Sequence, residues 1–133
     1  MFGITTKLSQ FMEAIATYEG WFLPGEKGLP NGSVSFRNNN PGNLRSSVFE
    51  STKKDGFSVF RNDMIGWLAL QFDLIQKAKG NTVTSLNGMS TLSEFCEVWA
   101  PEADNNNPAR YAEFIKTFCK LDDSFRLKDL LSE

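Results

Sequence analysis

Arg37-Asn38-Asn39-Asn40-Pro41-Gly42-Asn43-Leu44-Arg45 is the stretch around which this chain is organised. No other segment is so dense in groups that need a polar partner. Each of its four asparagines carries an amide that both donates and accepts. Pro41 fixes its own φ and pushes Asn40 into an extended conformation. Pro-Gly then predicts a type II turn, with the positive φ on Gly42. The expected product is a stiff loop that displays side-chain amides, with an arginine at each end. A polar loop that merely caps itself uses the same residue types, so the meaning of this one depends on what flanks it.

Upstream, Leu8, Phe11, Met12 and Ile15 recur at helical spacing and predict a first helix over about Thr6 to Tyr18, stopped near Gly20. Glu19 extends the same stripe, so a carboxylate stands at the end of an apolar face. Residues 20–35 read as loop, broken by Pro24, Gly25, Gly28, Pro30 and Gly32. Downstream, Val48-Phe49 and Phe57 to Phe60 read as two short strands around the turn signal Lys53-Lys54-Asp55-Gly56. A second helix opens near Asn62 or Asp63 and ends at Gly80. Its apolar residues go most of the way round, which suggests the centre of the fold. Thr91-Leu92-Ser93-Glu94 is a capping box that opens a short helix through Val98, stopped by Pro101. Asn107-Pro108 starts another helix, with Tyr111, Phe114, Ile115 and Phe118 on one stripe. Ser124 to Leu131 is a last amphipathic piece. The fold class is therefore mainly α, a helical domain over 1–133 with one small β-hairpin inserted after the first helix.

The composition excludes several chemistries. The 133 residues contain no histidine, which removes Ser-His-Asp and Cys-His catalysis and most zinc sites. Cys96 and Cys119 lie in apolar-periodic segments and read as buried thiols rather than a metal pattern or a disulfide. No metal or cofactor is expected. The net charge is −2 and no basic block appears, which argues against a nucleic-acid partner. No apolar run reaches the roughly 18 residues a membrane span needs. The start of the chain lacks a charged region followed by an apolar one, so a protein made in the cytoplasm without a signal peptide is expected. A monomer is the expected state.

Acid–base work must then fall to carboxylates, Tyr or Lys, and Glu19 is the candidate acid. Burial on an apolar face raises a carboxyl's pKa, potentially by several units. The negative end of the helix dipole adds only ~0.3–1 kcal/mol, less than one unit. A carboxylic acid kept protonated near neutral pH is what glycosidic cleavage requires, because the leaving oxygen must receive a proton. A glutamate set in an apolar pocket is one way to produce such an acid.

A helix-end glutamate, an amide-rich stiff loop, an aromatic hairpin and then a helix form an order that resembles the lysozyme superfamily. The resemblance is greatest to its goose-type lysozyme and lytic transglycosylase branch. Tyr18-Glu19-Gly20-Trp21 matches the helix-end position, and Arg37 to Arg45 falls where a substrate-binding loop belongs. The nonapeptide, with Trp99-Ala100-Pro101-Glu102-Ala103-Asp104-Asn105 running on to Tyr111, is similar to segments of phage and prophage proteins. The loop departs from the Gly-Leu-Met-Gln-like run usual in transglycosylases. The resemblance implies a lysozyme-like α+β fold and cleavage of peptidoglycan between N-acetylmuramic acid and N-acetylglucosamine, with Glu19 as acid and base. It implies action on the cell wall after release or as a virion component.

Asn38, Asn39, Asn40 and Asn43 are the expected contacts to sugar hydroxyls and N-acetyl groups. Trp99 and Tyr111 are expected to offer ring faces or a hydroxyl, with Trp21 as a further ring. Phe57 and Phe60 suit core packing better. Arg37 and Arg45 are expected to brace the loop by pairing with carboxylates. A second carboxylate is open among Glu26, Glu50, Asp55 and Asp63. Its absence favours a transglycosylase, in which the sugar's own hydroxyl is the nucleophile. The alternatives are a hydrolase with a second carboxylate, a non-catalytic glycan-binding or virion protein on the same fold, and chitin cleavage.

Overall fold

The structure is a computed structural model and describes residues 4–21 and 23–133. It is mainly helical with one small hairpin. In chain order the elements are α1 (Thr6–Tyr18), α2 (Val34–Arg37), β1 (Thr52–Lys54), β2 (Phe57–Val59), α3 (Asp63–Lys79), α4 (Leu92–Trp99) and α5 (Pro108–Cys119). Short 3₁₀ turns at Glu26–Gly28, Glu102–Asp104 and Leu127–Leu131 join them. Among the described residues no helix is long and apolar enough to cross a membrane. The chain divides into two compact units, Ile15–Asp73 and the remainder, with the divisions falling inside α1 and α3.

The unit outside Ile15–Asp73 is built on rings. Phe11 of α1 meets Phe95 of α4 edge-on at 5.3 Å and stacks on Phe125 at 5.9 Å. Leu8, Cys96, Tyr111, Ile115, Leu127 and Leu130 are buried with them. Each fully buried side chain of this size contributes roughly 1.5–3 kcal/mol. The helix caps follow the sequence. Thr91 and Glu94 form the reciprocal capping box of α4, and Asn107 accepts from Arg110 N ahead of Pro108 in α5. Phe118 departs from expectation. The buried stripe of α5 is Tyr111, Ile115 and Cys119, and Phe118 is exposed. The two thiols are free and buried.

The unit Ile15–Asp73 carries the loop and the hairpin. β1 and β2 are antiparallel, with Thr52 opposite Val59 and Lys54 opposite Phe57. The first strand therefore lies at Thr52–Lys54, not at Val48-Phe49. The connection is the two residues Asp55 (φ 52°) and Gly56 (φ 84°), the positive-φ pair that a tight hairpin needs. Lys53 and Lys54 are strand residues, and the turn is shorter than expected. The expected 20–35 loop also contains a helix at its end, α2, which Ser33 caps by accepting from Phe36 N at 3.3 Å. Phe22 lies outside the described residues.

α3 runs under the loop. A Cβ at Gly66 would come 1.8 Å from Asn39 O, and one at Gly42 would come 2.8 Å from Leu70 Cδ1. The loop thus meets bare helix backbone at Gly66 and the Leu70 side chain at Gly42. The helix is not buried all round, because Met64, Leu68 and Phe72 form an exposed apolar row at i, i+4, i+8. Phe49 covers part of that row, meeting the Phe72 ring at 5.3 Å.

Candidate functional site

Glu19 stands where α1 ends. Its N–H still donates to Ile15 O at 2.8 Å. Gly20 N then bonds Thr17 O at 3.2 Å and Trp21 N bonds Ala16 O at 2.9 Å. This pair of bonds is the Schellman closure, and it needs a left-handed residue, supplied by Gly20 at φ 81°. The closure fixes Glu19 as the residue that caps the end of α1, half-buried.

The asparagine run does three different jobs. Asn38 ends α2, is buried, and its carbonyl accepts from Phe60 N at 2.9 Å. Asn39 takes the left-handed conformation (φ 55°) that closes α2, with Asn39 N on Phe36 O and Asn40 N on Ser35 O. Its side chain donates to Phe60 O at 2.9 Å. Asn40 is completely buried. Its Nδ2 donates to Leu44 O and Ser58 O, both at 2.9 Å, and its Oδ1 accepts from Leu44 N at 2.8 Å. All of that amide's reach goes to backbone, so Asn40 ties the loop to β2 and is not a glycan contact. Asn43 N bonds Asn40 O across Pro41-Gly42. The positive φ falls on Asn43 (φ 50°) and not on Gly42, so the turn is not type II. A side chain at Gly42 would bring its Cβ to 2.8 Å from the tip of Leu70, which would have to shift.

Asn43 brings the two sequence features together. Its Nδ2 donates to Glu19 Oε1 at 3.3 Å. Beside them, the Trp21 ring meets Phe36 edge-on at 5.3 Å and Trp67 at 5.8 Å, and both indoles are half-buried. Trp67 was legible only as an apolar helix residue. It follows Gly66 and precedes Leu70 by one turn of α3, and its place beside Trp21 is set by tertiary packing.

The arginines brace the loop differently from expectation. Arg37 Nη1 donates to Gly32 O at 2.6 Å, and Arg45 lies 4.6 Å over the Phe57 ring. Among the described residues neither pairs with a carboxylate. Phe60 is buried, as core packing predicts.

Of the four further carboxylates, Glu50 is the most engaged. Its Oε1 accepts from Ser58 Oγ at 2.6 Å, Lys53 Nζ at 3.0 Å and Ser47 N at 3.1 Å. The Ser58 hydroxyl, then Lys53, hold its carboxyl below the ordinary value. It is a hairpin anchor. Glu26 is exposed and accepts from Leu23 N at 2.6 Å. Asp55 is exposed at the hairpin turn, and Asp63 is exposed in the first turn of α3.

Trp99 and Tyr111 lie in the other unit and are paired with each other. Trp99 Nε1 donates to Tyr111 Oη at 3.2 Å. The Tyr111 ring is 1% exposed, so it offers no face to a sugar. Phe95 stacks on Trp99 at 5.2 Å and the Lys77 ammonium lies 5.5 Å from its ring centre. Both residues are packing elements as they stand. A groove of about 370 Å³ in this unit, lined in part by Thr91, Ser93, Glu113 and Lys116, contains none of the catalytic or glycan-binding candidates read from the sequence. Among the described residues no group of three or more His, Cys, Asp or Glu is placed to hold a metal ion.

Compared with family models, curated proteins and solved structures, the chain finds no match.

Proposed function

We propose that this chain is a lysozyme-like enzyme that cleaves the glycan strand of peptidoglycan between N-acetylmuramic acid and N-acetylglucosamine. The observation that carries the reading is the bond from Asn43 to Glu19. It joins a helix-end glutamate to a stiff amide-bearing loop within one compact unit. Two half-buried indoles accompany it. Flat rings and amides around one carboxyl suit a saccharide with its hydroxyls and acetamido groups.

In the proposed reaction Glu19 gives its proton to the glycosidic oxygen as the C1–O bond breaks. The resulting Glu19 carboxylate takes the proton from the C6 hydroxyl of the same muramic acid residue. That oxygen bonds C1 and leaves a 1,6-anhydro end, with Glu19 protonated again. The engaged state of Glu50 supports a single-glutamate route over one with a second carboxylate. Asn43 fixes the carboxyl's orientation, and Asn39 holds the loop to the residue after β2. The site of action would be the cell wall, reached after release or as part of a virion.

The test is fragment analysis of purified peptidoglycan after incubation with the chain. Anhydro-muramyl ends are expected. Glu19→Gln should lower their release by at least ~10²-fold, the scale of one general acid–base group, with unchanged thermal unfolding. A folded Glu19→Gln protein that releases fragments at the parental rate would falsify the assignment. Reducing ends would point to a hydrolase, and glycan binding without release to a non-catalytic module.

A further inference from the structure

Glu19 reaches Asn43 through a flexible side chain, and Asn43 sits on a loop far along the chain. The bond between them can fix the carboxyl only where the loop is itself fixed to the backbone from which Glu19 hangs. Ser35 supplies that second grip. It lies in α2, is 4% exposed, and its Oγ donates to Gly20 O at 3.2 Å. The hydroxyl therefore holds the main chain one residue past Glu19.

The backbone joins the two grips into one piece. Asn40 N bonds Ser35 O at 2.8 Å, and Asn43 N bonds Asn40 O at 2.9 Å. Asn43 Nδ2 then reaches Glu19 Oε1 at 3.3 Å. Followed from Glu19 through Asn43, Asn40, Ser35 and Gly20, these bonds return to Glu19 as a closed ring within one compact unit. A hydroxyl has one proton to give. Ser35 gives its own to Gly20 O, so the 3.2 Å contact between the two hydroxyls is a donation from Ser33. Ser33 Oγ in turn accepts from Phe36 N. The donors thus run one way, from the cap of α2 to the end of α1, and donors in series strengthen one another. Phe36 also meets the Trp21 ring, so α2 touches the end of α1 twice.

We infer that Ser35 is a positioning residue for Glu19, whose hydroxyl closes the ring that holds the carboxyl in line for proton transfer. The inference rests on the glycan-cleaving reading above and names what aligns its acid. A general acid works only within about 2.6–3.2 Å of the atom that takes its proton. A misplacement of about 1 Å can cost about 10²-fold. With the hydroxyl removed, Asn40 N still bonds Ser35 O, because that acceptor is backbone. The link to Gly20 O is lost. The loop then keeps its form while its grip on the helix end weakens.

The test compares the full chain with Ser35→Ala, Asn43→Ala and the double variant, each below the temperature at which its thermal unfolding begins. Fragment release from purified peptidoglycan gives the rate, and the Asn43 side-chain amide is followed by its nitrogen–proton NMR signals. Ser35→Ala should release fragments about 10-fold more slowly, the scale of one hydrogen bond. In the Asn43→Ala background the same change should cost less than about 3-fold, because the ring is already open. The Asn43 signals of Ser35→Ala should move toward those of Glu19→Ala, which lacks the acceptor. A residue that serves only the fold would leave those signals in place in the folded chain, and unmoved signals overturn the inference. Losses that multiply in the double variant overturn it too, as does a Ser35→Ala rate equal to the parent's. A parent that releases nothing overturns the glycan-cleaving reading by itself, and the Asn43 signals then still decide whether Ser35 holds Glu19.

Discussion

Truncating Asn40 to alanine would strand two backbone groups, the N–H of Leu44 and the C=O of Ser58, while the C=O of Leu44 keeps its bond from Ser58 N. Each buried unpaired group costs ~1–3 kcal/mol. Partial relaxation makes about 3 kcal/mol the expected loss, read from urea unfolding, and few single substitutions exceed that. Asn40→Asp should be comparably harmful at neutral pH, since it keeps the acceptor for Leu44 N but turns an oxygen toward two carbonyls. The sequence showed that this run needs polar partners. It could not show which asparagine would be buried, because Asn38, Asn39 and Asn40 are chemically identical. Only their contacts with α2, β2 and Phe60 tell them apart. The Glu19–Asn43 pair was half legible. The helix periodicity placed Glu19 and the Pro-Gly turn placed the loop, but the 3.3 Å bond between them is a tertiary fact.

At the scale of elements, four helices end by the same device. Gly20, Asn39, Gly80 and Lys120 each take positive φ just past a helix, and the residue that follows donates back into its last turn. Lys120, at φ 55°, is the least suited to it. Lys120→Gly should remove a left-handed penalty of ~1 kcal/mol and raise the unfolding temperature by about 4 °C; calorimetry would show it. The signals that proved reliable were local. Thr91 with Glu94, and Asn107 with Pro108, carry their cap chemistry within four residues. α2 and β1 were not read correctly because neither is long enough to show a period. Ser33 as a cap, with Asn38-Asn39 and then Pro41 past the end, was a usable signal for α2. Phe118 shows the limit of apolar periodicity, which identifies a stripe without saying whether anything covers it.

For the whole molecule, pH acts from both ends. Glu50, Glu94 and Asp122 are held below their ordinary values, chiefly by hydrogen bonds from Ser58, the Thr91 backbone and Ser124. The unfolded chain takes up these protons first as pH falls. Their stabilisation is complete above the ordinary values of 4.5 and 3.8, and is lost as pH drops through the lower folded ones. The thiols act in the other direction. Burial pushes Cys96 up to about 12, and burial followed by the Glu13 charge pushes Cys119 up to about 11, from 9.0. Their stabilisation is full below pH 9.0 and lost as pH rises through the folded values. A plot of unfolding free energy against pH should therefore be flat in between and fall at both extremes. A disulfide reagent should label neither thiol in the native chain faster than the chain opens; rapid native labelling would contradict their burial. The contact between Gly66 and Asn39 O has a further consequence. Ordering a free loop costs roughly 1–2 kcal/mol of backbone entropy per residue. A loop whose backbone seats directly on Gly66, and which the Asn40 amide ties to β2, has met that cost during folding, so the shape it presents is already fixed.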